Sequence, residues 1–318
     1  MKILKEIEQR AKSKDVKIIL LEANMDERVK SACIQILKDG LSKIVVFGKI
    51  EEFSKEFQNP NCEIIDIENS DCLEDFANQL FELRKAKGLT LDEARNLVKT
   101  PMYFAMMMLK NNKAEGVVAG AIYSTADVLR PGLQIIKTKQ GKKVVTGGML
   151  MLKENENPLF FGDVSLVENP TSEELAEIAL ASAEFMQNVV GIEPKVAMLS
   201  YSTKGSAKSE MVDKVRIATE LAQNQGFMVD GEMQVDSALD LATAKKKGIT
   251  SEVGGNANVL VFPDLNAGNI GYKLVSRLGG YLAVGPIMLN FNKPINDLSR
   301  GCTVEEIINT VLITKLLV

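Results

Sequence analysis

The chain has 318 residues, 46% hydrophobic and 25% charged, with no histidine, no tryptophan and a net charge of −4. Such a length favours two domains, and the balance is that of a globular protein rather than a disordered one. The acidic character, with a pI near 5.3, argues against a general nucleic-acid or anionic-membrane partner, and the lack of histidine excludes Ser-His-Asp and Cys-His catalysis and any His-ligated zinc.

The amino terminus, MKILKEIEQRAKSKD, has the pattern of a charged amphipathic helix, with no apolar signal region behind it. The longest apolar runs, 258–262 and 281–289, are of strand length and too short to span a bilayer. Four cysteines (Cys33, Cys62, Cys72 and Cys302) lack CxxC spacing, so neither a disulfide framework nor a metal site is expected. A reducing, cytoplasmic compartment follows. Any general base has to be a carboxylate, lysine, tyrosine or cysteine.

Apolar runs alternate with helical patterns, the signature of βα units on a mostly parallel sheet. The alternation predicts strands over 17–21, 43–47, 63–67 and 116–121, then over 195–200, 258–262 and 281–289. Helices are predicted over 26–38 with a stop at Gly40, over 73–87 with a stop at Gly88, and over 173–188. Thr90 with Glu93, and Thr171 with Glu174, carry the capping-box signature of a helix start. Residues 138–158, with KKVVTGG, predict a strand or hairpin that leaves the first layer, and a domain boundary falls there.

In open α/β sheets, ligands gather in the loops that follow strand carboxyl ends. Four such loops have unusual composition. After 116–121 comes IYSTADVLRP, where Ser124 or Thr125 offers a hydroxyl to an anion or simply caps a helix. After 195–200 comes YSTKGSAKS, small, hydroxylated and basic, yet without the spacing of a P-loop. The third, DLNAGNIGYK, joins glycines to an amide, a phenol and an ammonium, and is equally a set of turn residues at a helix start. In the fourth, NDLSRGCTVEE, Ser299 and Arg300 can aim a hydroxyl and a guanidinium at one oxyanion; Thr303 to Glu306 also forms a capping box, and Cys302 suits a small buried position. No G-x-G pair occurs, so the dinucleotide fingerprint is absent.

In this order and spacing the blocks STADVLRPGLQII, ENPTSEELAEIA, MLSYSTKGSAKSEMVDKVR, NVLVFPDLNAGNIGYK and KPINDLSRGC resemble the phosphate acetyltransferase family, from about residue 84 to the carboxyl terminus. Phosphate butyryltransferases share that fold but generally lack NDLSRGC and STKGSAKSE. The resemblance implies an α/β protein of two three-layer α/β/α domains with a cleft between them, similar to isocitrate dehydrogenase. Residues 1–144 with 299–318 would form one domain and 145–298 the other. It further implies a homodimer with no organic prosthetic group, acting on coenzyme A and acetyl phosphate.

Residue by residue, the resemblance places Arg84 and Arg130 on arginines that bind coenzyme A, and Ser299 with Arg300 on the catalytic pair. From the composition of the loops we expect Ser124, Thr125, Asn269, Tyr272 and Lys273 to complete the acetyl phosphate pocket. The aspartate proposed to deprotonate the thiol falls on Glu306, whose extra methylene shifts the carboxylate by about 1 Å and whose capping role stays open. Val164 stands where a cysteine is often found, which argues against a compulsory acyl-cysteine intermediate, and Met288 to Phe291 departs from the usual LQGL form.

Overall fold

The computed structural model describes all 318 residues. In chain order, α1 (Lys2–Lys12), β1 (Lys17–Leu20), α2 (Glu27–Lys38), β2 (Lys43–Phe47) and β3 (Cys62–Ile65) are followed by α3 (Leu73–Arg84), α4 (Leu91–Val98), α5 (Pro101–Lys110), β4 (Gly116–Ala119) and α6 (Thr125–Pro131). Next come β5 (Thr146–Leu152), β6 (Leu159–Gly162), α7 (Ser172–Phe185), β7 (Lys195–Leu199), α8 (Glu210–Gln223), β8 (Met228–Met233), α9 (Val235–Leu239) and α10 (Leu241–Lys246). The chain ends with β9 (Val259–Val261), α11 (Leu265–Gly279), β10 (Leu282–Leu289), β11 (Ile295–Asp297) and α12 (Val304–Leu317). It divides into two compact α/β units, Lys2–Gln140 with Phe291–Val318, and Gly141–Asn290. Residues 291–298, expected in the second domain, therefore lie in the first unit, because β11 pairs with β4 there, and residues 141–144, expected in the first, lie in the second.

The first unit holds a parallel sheet of order β11-β4-β1-β2-β3. Its inner strands, KIIL and GVVA, are apolar at almost every position because helices cover both faces. On α2, Val29, Ala32, Cys33, Ile36 and Leu37 form a buried stripe at helical spacing. Phe104 of α5 meets Phe47 of β2 edge-on at 5.5 Å and Phe76 of α3 at 5.3 Å, which fastens a second helical layer to the sheet. α12 is buried nearly all round, against α1, α2 and the strands β1 and β4.

The second unit holds a mixed sheet of order β10-β5-β6-β9-β7-β8, in which β5 runs antiparallel to both β10 and β6. Alternation along β6 shows its two covered faces. Phe160 meets Phe185 of α7 at 4.6 Å, whereas its neighbour Phe161 meets Phe262 at 5.2 Å inside a cluster containing Met149, Met151 and Leu260.

Every predicted strand is present, within two residues at each end. The three predicted capping boxes form, at Thr90, Thr171 and Thr303, and Gly88 closes its helix with a φ of 87°. Three strands carry no alternation signal: β6 and β11 are very short, and β8, MVDGEM, interrupts its apolar residues with Asp230 and Glu232. No helix is long and apolar enough to cross a membrane.

Candidate functional site

At the carboxyl edge of the first sheet, three strand ends lie side by side, those of β1, β4 and β11. Glu22 follows β1 and is 1% exposed. Its carboxylate accepts four consecutive backbone N–H groups, from Gly120 and Ala121 at 3.0 Å, Ile122 at 2.9 Å and Tyr123 at 3.2 Å. A buried carboxylate is tolerated only with such a set of donors. The turn after β4 is thereby locked.

Arg28, in the first turn of α2, ties that turn to the one after β11. Its guanidinium donates to the Asp26 carboxylate, to the carbonyl of Ala121 at 3.1 Å, and to the carbonyls of Arg300 at 2.8 Å and Cys302 at 3.0 Å. Hydrogen bonding to Arg28 holds the Asp26 carboxyl below its ordinary value. The planar fork spans four acceptors, a task a lysine ammonium cannot perform.

Asp297 closes the junction. Thr125, the first residue of α6, donates its hydroxyl hydrogen to Asp297 Oδ2 at 2.6 Å, while Oδ1 is buried without a hydrogen-bond partner. Burial pushes the Asp297 carboxyl up from an ordinary 3.8 to about 6; the Thr125 bond opposes this, nearby Glu22 adds to it and Arg300 opposes it. Gly120 is required here: its φ is 111°, and a Cβ would sit 2.2 Å from Asp297 Oδ1.

Several expected site residues meet at this edge. Ser299 and Arg300 lie exposed just beyond β11 and share the Arg28 junction with the Ala121 turn. Ser124 caps α6, exchanging hydrogen bonds with Asp127, and Thr125 holds Asp297. Arg130 is exposed in the last turn of α6. Arg84, the last residue of α3, lines a surface cavity of about 270 Å³ with Lys87, Glu93, Tyr103 and Gln134. Glu306 forms a capping box: its Oε2 accepts the Thr303 N–H at 2.7 Å, and its own N–H donates to Thr303 Oγ1 at 3.2 Å. Cys302 is buried, and burial raises its thiol to about 11.

The remaining expected residues are engaged within the second unit. DLNAGNIGYK is the amino-terminal half of α11, capped by Asp264, so the helix-start alternative holds. Asn269 Nδ2 donates to the Val164 carbonyl at 3.0 Å, Tyr272 packs on the Phe161 cluster with its phenol raised by burial, and Lys273 lies exposed over the Tyr272 ring. Ser202, Lys204 and the Gly205 N–H of the YSTKGSAKS loop bind two buried carboxylates of β8. Glu232 accepts from Ser202 Oγ at 2.9 Å and from the Gly205 N–H at 2.7 Å, and Asp230 pairs with Lys204.

Glu22, Arg28 and Asp297 drew no role from the sequence. Only Asp297 carried a signal, its place two residues ahead of Ser299 in NDLSRGC.

Residues 2–315 match the phosphate acetyl/butaryl transferase family. The chain is 47% identical to a phosphate acetyltransferase of Acetivibrio thermocellus, over 99% of its own length and 97% of that relative. It is 41% identical to one of Bacillus subtilis, over 97% and 96% of the two chains. Among solved structures, a phosphotransacetylase from Streptococcus pyogenes superposes with a TM-score of 0.93 at 40% identity, over 99% of this chain and 97% of that one.

Because the folded Asp297 carboxyl titrates higher than the unfolded one, the folded chain retains its proton across the window from 3.8 to about 6. Its contribution to stability is greatest below that window and falls as pH rises through it, by up to about 3 kcal/mol. The stability of Asp297→Asn minus that of the natural chain should therefore grow by up to about this amount between roughly pH 4 and pH 7. Denaturant unfolding at constant ionic strength measures it, and a difference independent of pH would remove the assignment.

Proposed function

The chain is a transferase of the phosphate acetyl/butaryl transferase family, and on that premise we propose that it moves an acetyl group reversibly between acetyl phosphate and coenzyme A. In the proposed reaction the thiolate of coenzyme A attacks the acetyl carbonyl directly, with both substrates bound at once. The observation that carries this reading is the junction at the first sheet's edge. Hydrogen bonds from Arg28 hold the Ser299–Arg300 turn against the turn leading to Ser124 and Thr125. Loops meeting at strand carboxyl ends are where open α/β sheets bind ligands. The relatives named phosphate acetyltransferase favour acetyl as the group moved.

Acetyl phosphate is already activated, so a covalent enzyme intermediate is unnecessary. A thiol with a pKa of about 8.5 needs only modest help to ionise, which suits a protein with no histidine. Orientation and charge stabilisation supply most of the acceleration. Arg300 would bind phosphoryl oxygens, Ser299 would donate to the developing oxyanion, and Arg84 and Arg130 would meet phosphates of coenzyme A. No further cofactor is called for. The four cysteines stand unpaired, which fits a reducing cytoplasm; recovery of the protein in a membrane or secreted fraction would contradict that placement.

A second copy of the chain is the proposed partner. Ile270, Leu274 and Leu278 repeat every four residues along α11 and are 57%, 53% and 83% exposed. An apolar stripe of that spacing is one helix face, suited to burial against its twin. Light scattering should give twice the chain mass, and Leu274→Asp should halve it; a natural chain already at monomer mass would reject the dimer.

The decisive measurement is thioester absorbance with acetyl phosphate, coenzyme A and the purified protein. Arg300→Ala should lower turnover by about 10²-fold or more, and near-normal turnover would take Arg300 out of the mechanism. Arg84→Ala should mainly raise the KM for coenzyme A. An unchanged KM would reject that role.

A further inference from the structure

A thiol nucleophile needs an acceptor for its proton, and the carboxyl edge of the first sheet holds Glu22, Asp26, Asp297 and Glu306, of which Asp26 is paired with Arg28. Glu306 commits one oxygen to the amino terminus of its own helix. Glu22 accepts four N–H groups. Asp297 differs from both: it is 2% exposed, one oxygen has no hydrogen-bond partner, and the other accepts the hydroxyl hydrogen of Thr125. A carboxylate so dry and so thinly compensated is placed to take a proton. Thr125 itself is exposed at the start of α6. Having given its hydrogen to Asp297, its oxygen keeps lone pairs for an incoming donor.

We infer that Asp297 receives the thiol proton through the Thr125 hydroxyl. Thr125 is then the residue that touches the thiol, and Asp297 acts behind it. This inference rests on the acetyl-transfer reading above. In the forward step the S–H bond of coenzyme A breaks and its proton passes to Thr125 Oγ1, while the hydroxyl's own hydrogen passes to Asp297 Oδ2. The sulfur electron pair forms the bond to the acetyl carbon, and the carbon–oxygen bond to phosphate breaks with its electrons left on the phosphate oxygen. The proton held by Asp297 returns along the same hydroxyl to the departing phosphate. The carboxylate is restored, and no co-reactant is needed.

The electrostatics agree with the geometry. A value near 6 for Asp297 places its ionisation close to ordinary working pH, where a base is most effective. Glu22, on the turn after β1, raises it, and Arg300, on the turn after β11, lowers it. On α2, Arg28 and Asp26 are paired with each other. On α6, Asp127 accepts from Ser124, with Arg130 in the same helix.

The test follows kcat with pH for acetyl phosphate and coenzyme A over roughly pH 5 to pH 9, where the base should titrate. In the natural protein kcat should rise with pH on a limb centred near the Asp297 value of about 6. Thr125→Val should lose about 10²-fold or more in kcat, the usual worth of a general base, together with that limb. Thr125→Ser should recover both. Asp297→Asn should match Thr125→Val; if it fails to fold, the two Thr125 variants decide alone. Thr125→Val with near-natural kcat and an intact limb would overturn the relay, as would a limb abolished by Glu306→Gln and untouched by Thr125→Val. A natural chain that makes no thioester at any pH would remove the acetyl-transfer reading and the relay with it. Brisk natural turnover indifferent to these substitutions would remove the relay alone.

Discussion

Four consecutive amides converging on one buried carboxylate set the geometry of the first unit's working edge. The Glu22 side chain is buried, so its oxygens find hydrogen-bond partners only while the Gly120–Tyr123 backbone aims its N–H groups inward. The dependence runs both ways: the backbone has one conformation because the carboxylate is there, and the carboxylate is tolerated because the backbone has that conformation. Ser124 and Thr125 follow directly, so their positions inherit this constraint rather than their own side-chain preferences.

Arg28 extends the order from one turn to two. Its acceptors belong to three separate stretches of chain, brought together by the parallel pairing of β1, β4 and β11. The neighbouring carboxylates show how environment divides labour between like groups. Asp26 and Glu22 are surrounded by donors, whereas Asp297 is left with a single hydroxyl. Sites that move protons commonly contain such unequal members.

Much of the fold was legible in the sequence. Strands such as KIIL and KIVVF are apolar because both faces are covered, and that covering writes itself into the residues. Helix starts at Thr90, Thr171 and Thr303 were legible through local pairs three residues apart. Long-range polar contacts were not. Nothing in the letters around Glu22 announces that its partners lie about a hundred residues away, and a charged residue after a strand is usually a solvated one. The same limit hides what the glycines of DLNAGNIGYK do. The segment does open a helix, but Gly268 is buried within α11, where a Cβ would lie 2.5 Å from the Asp163 carbonyl. The glycine serves close packing rather than a bend. For YSTKGSAKS, the carboxylates that satisfy its donors sit on β8, a strand whose own acidic residues concealed it.

The interrupted course of the first unit has a consequence for how the protein is made. Its sheet is complete only when β11 pairs with β4, and α12 then covers β1 and β4. Both elements follow the Gly141–Asn290 unit in the chain, so all six strands of that unit are synthesised before them. The nascent amino-terminal half therefore waits with one side of β4 unpaired and an apolar face bare, a state in which unmatched strand edges invite wrong partners. Synthesis of α12 is what closes that window.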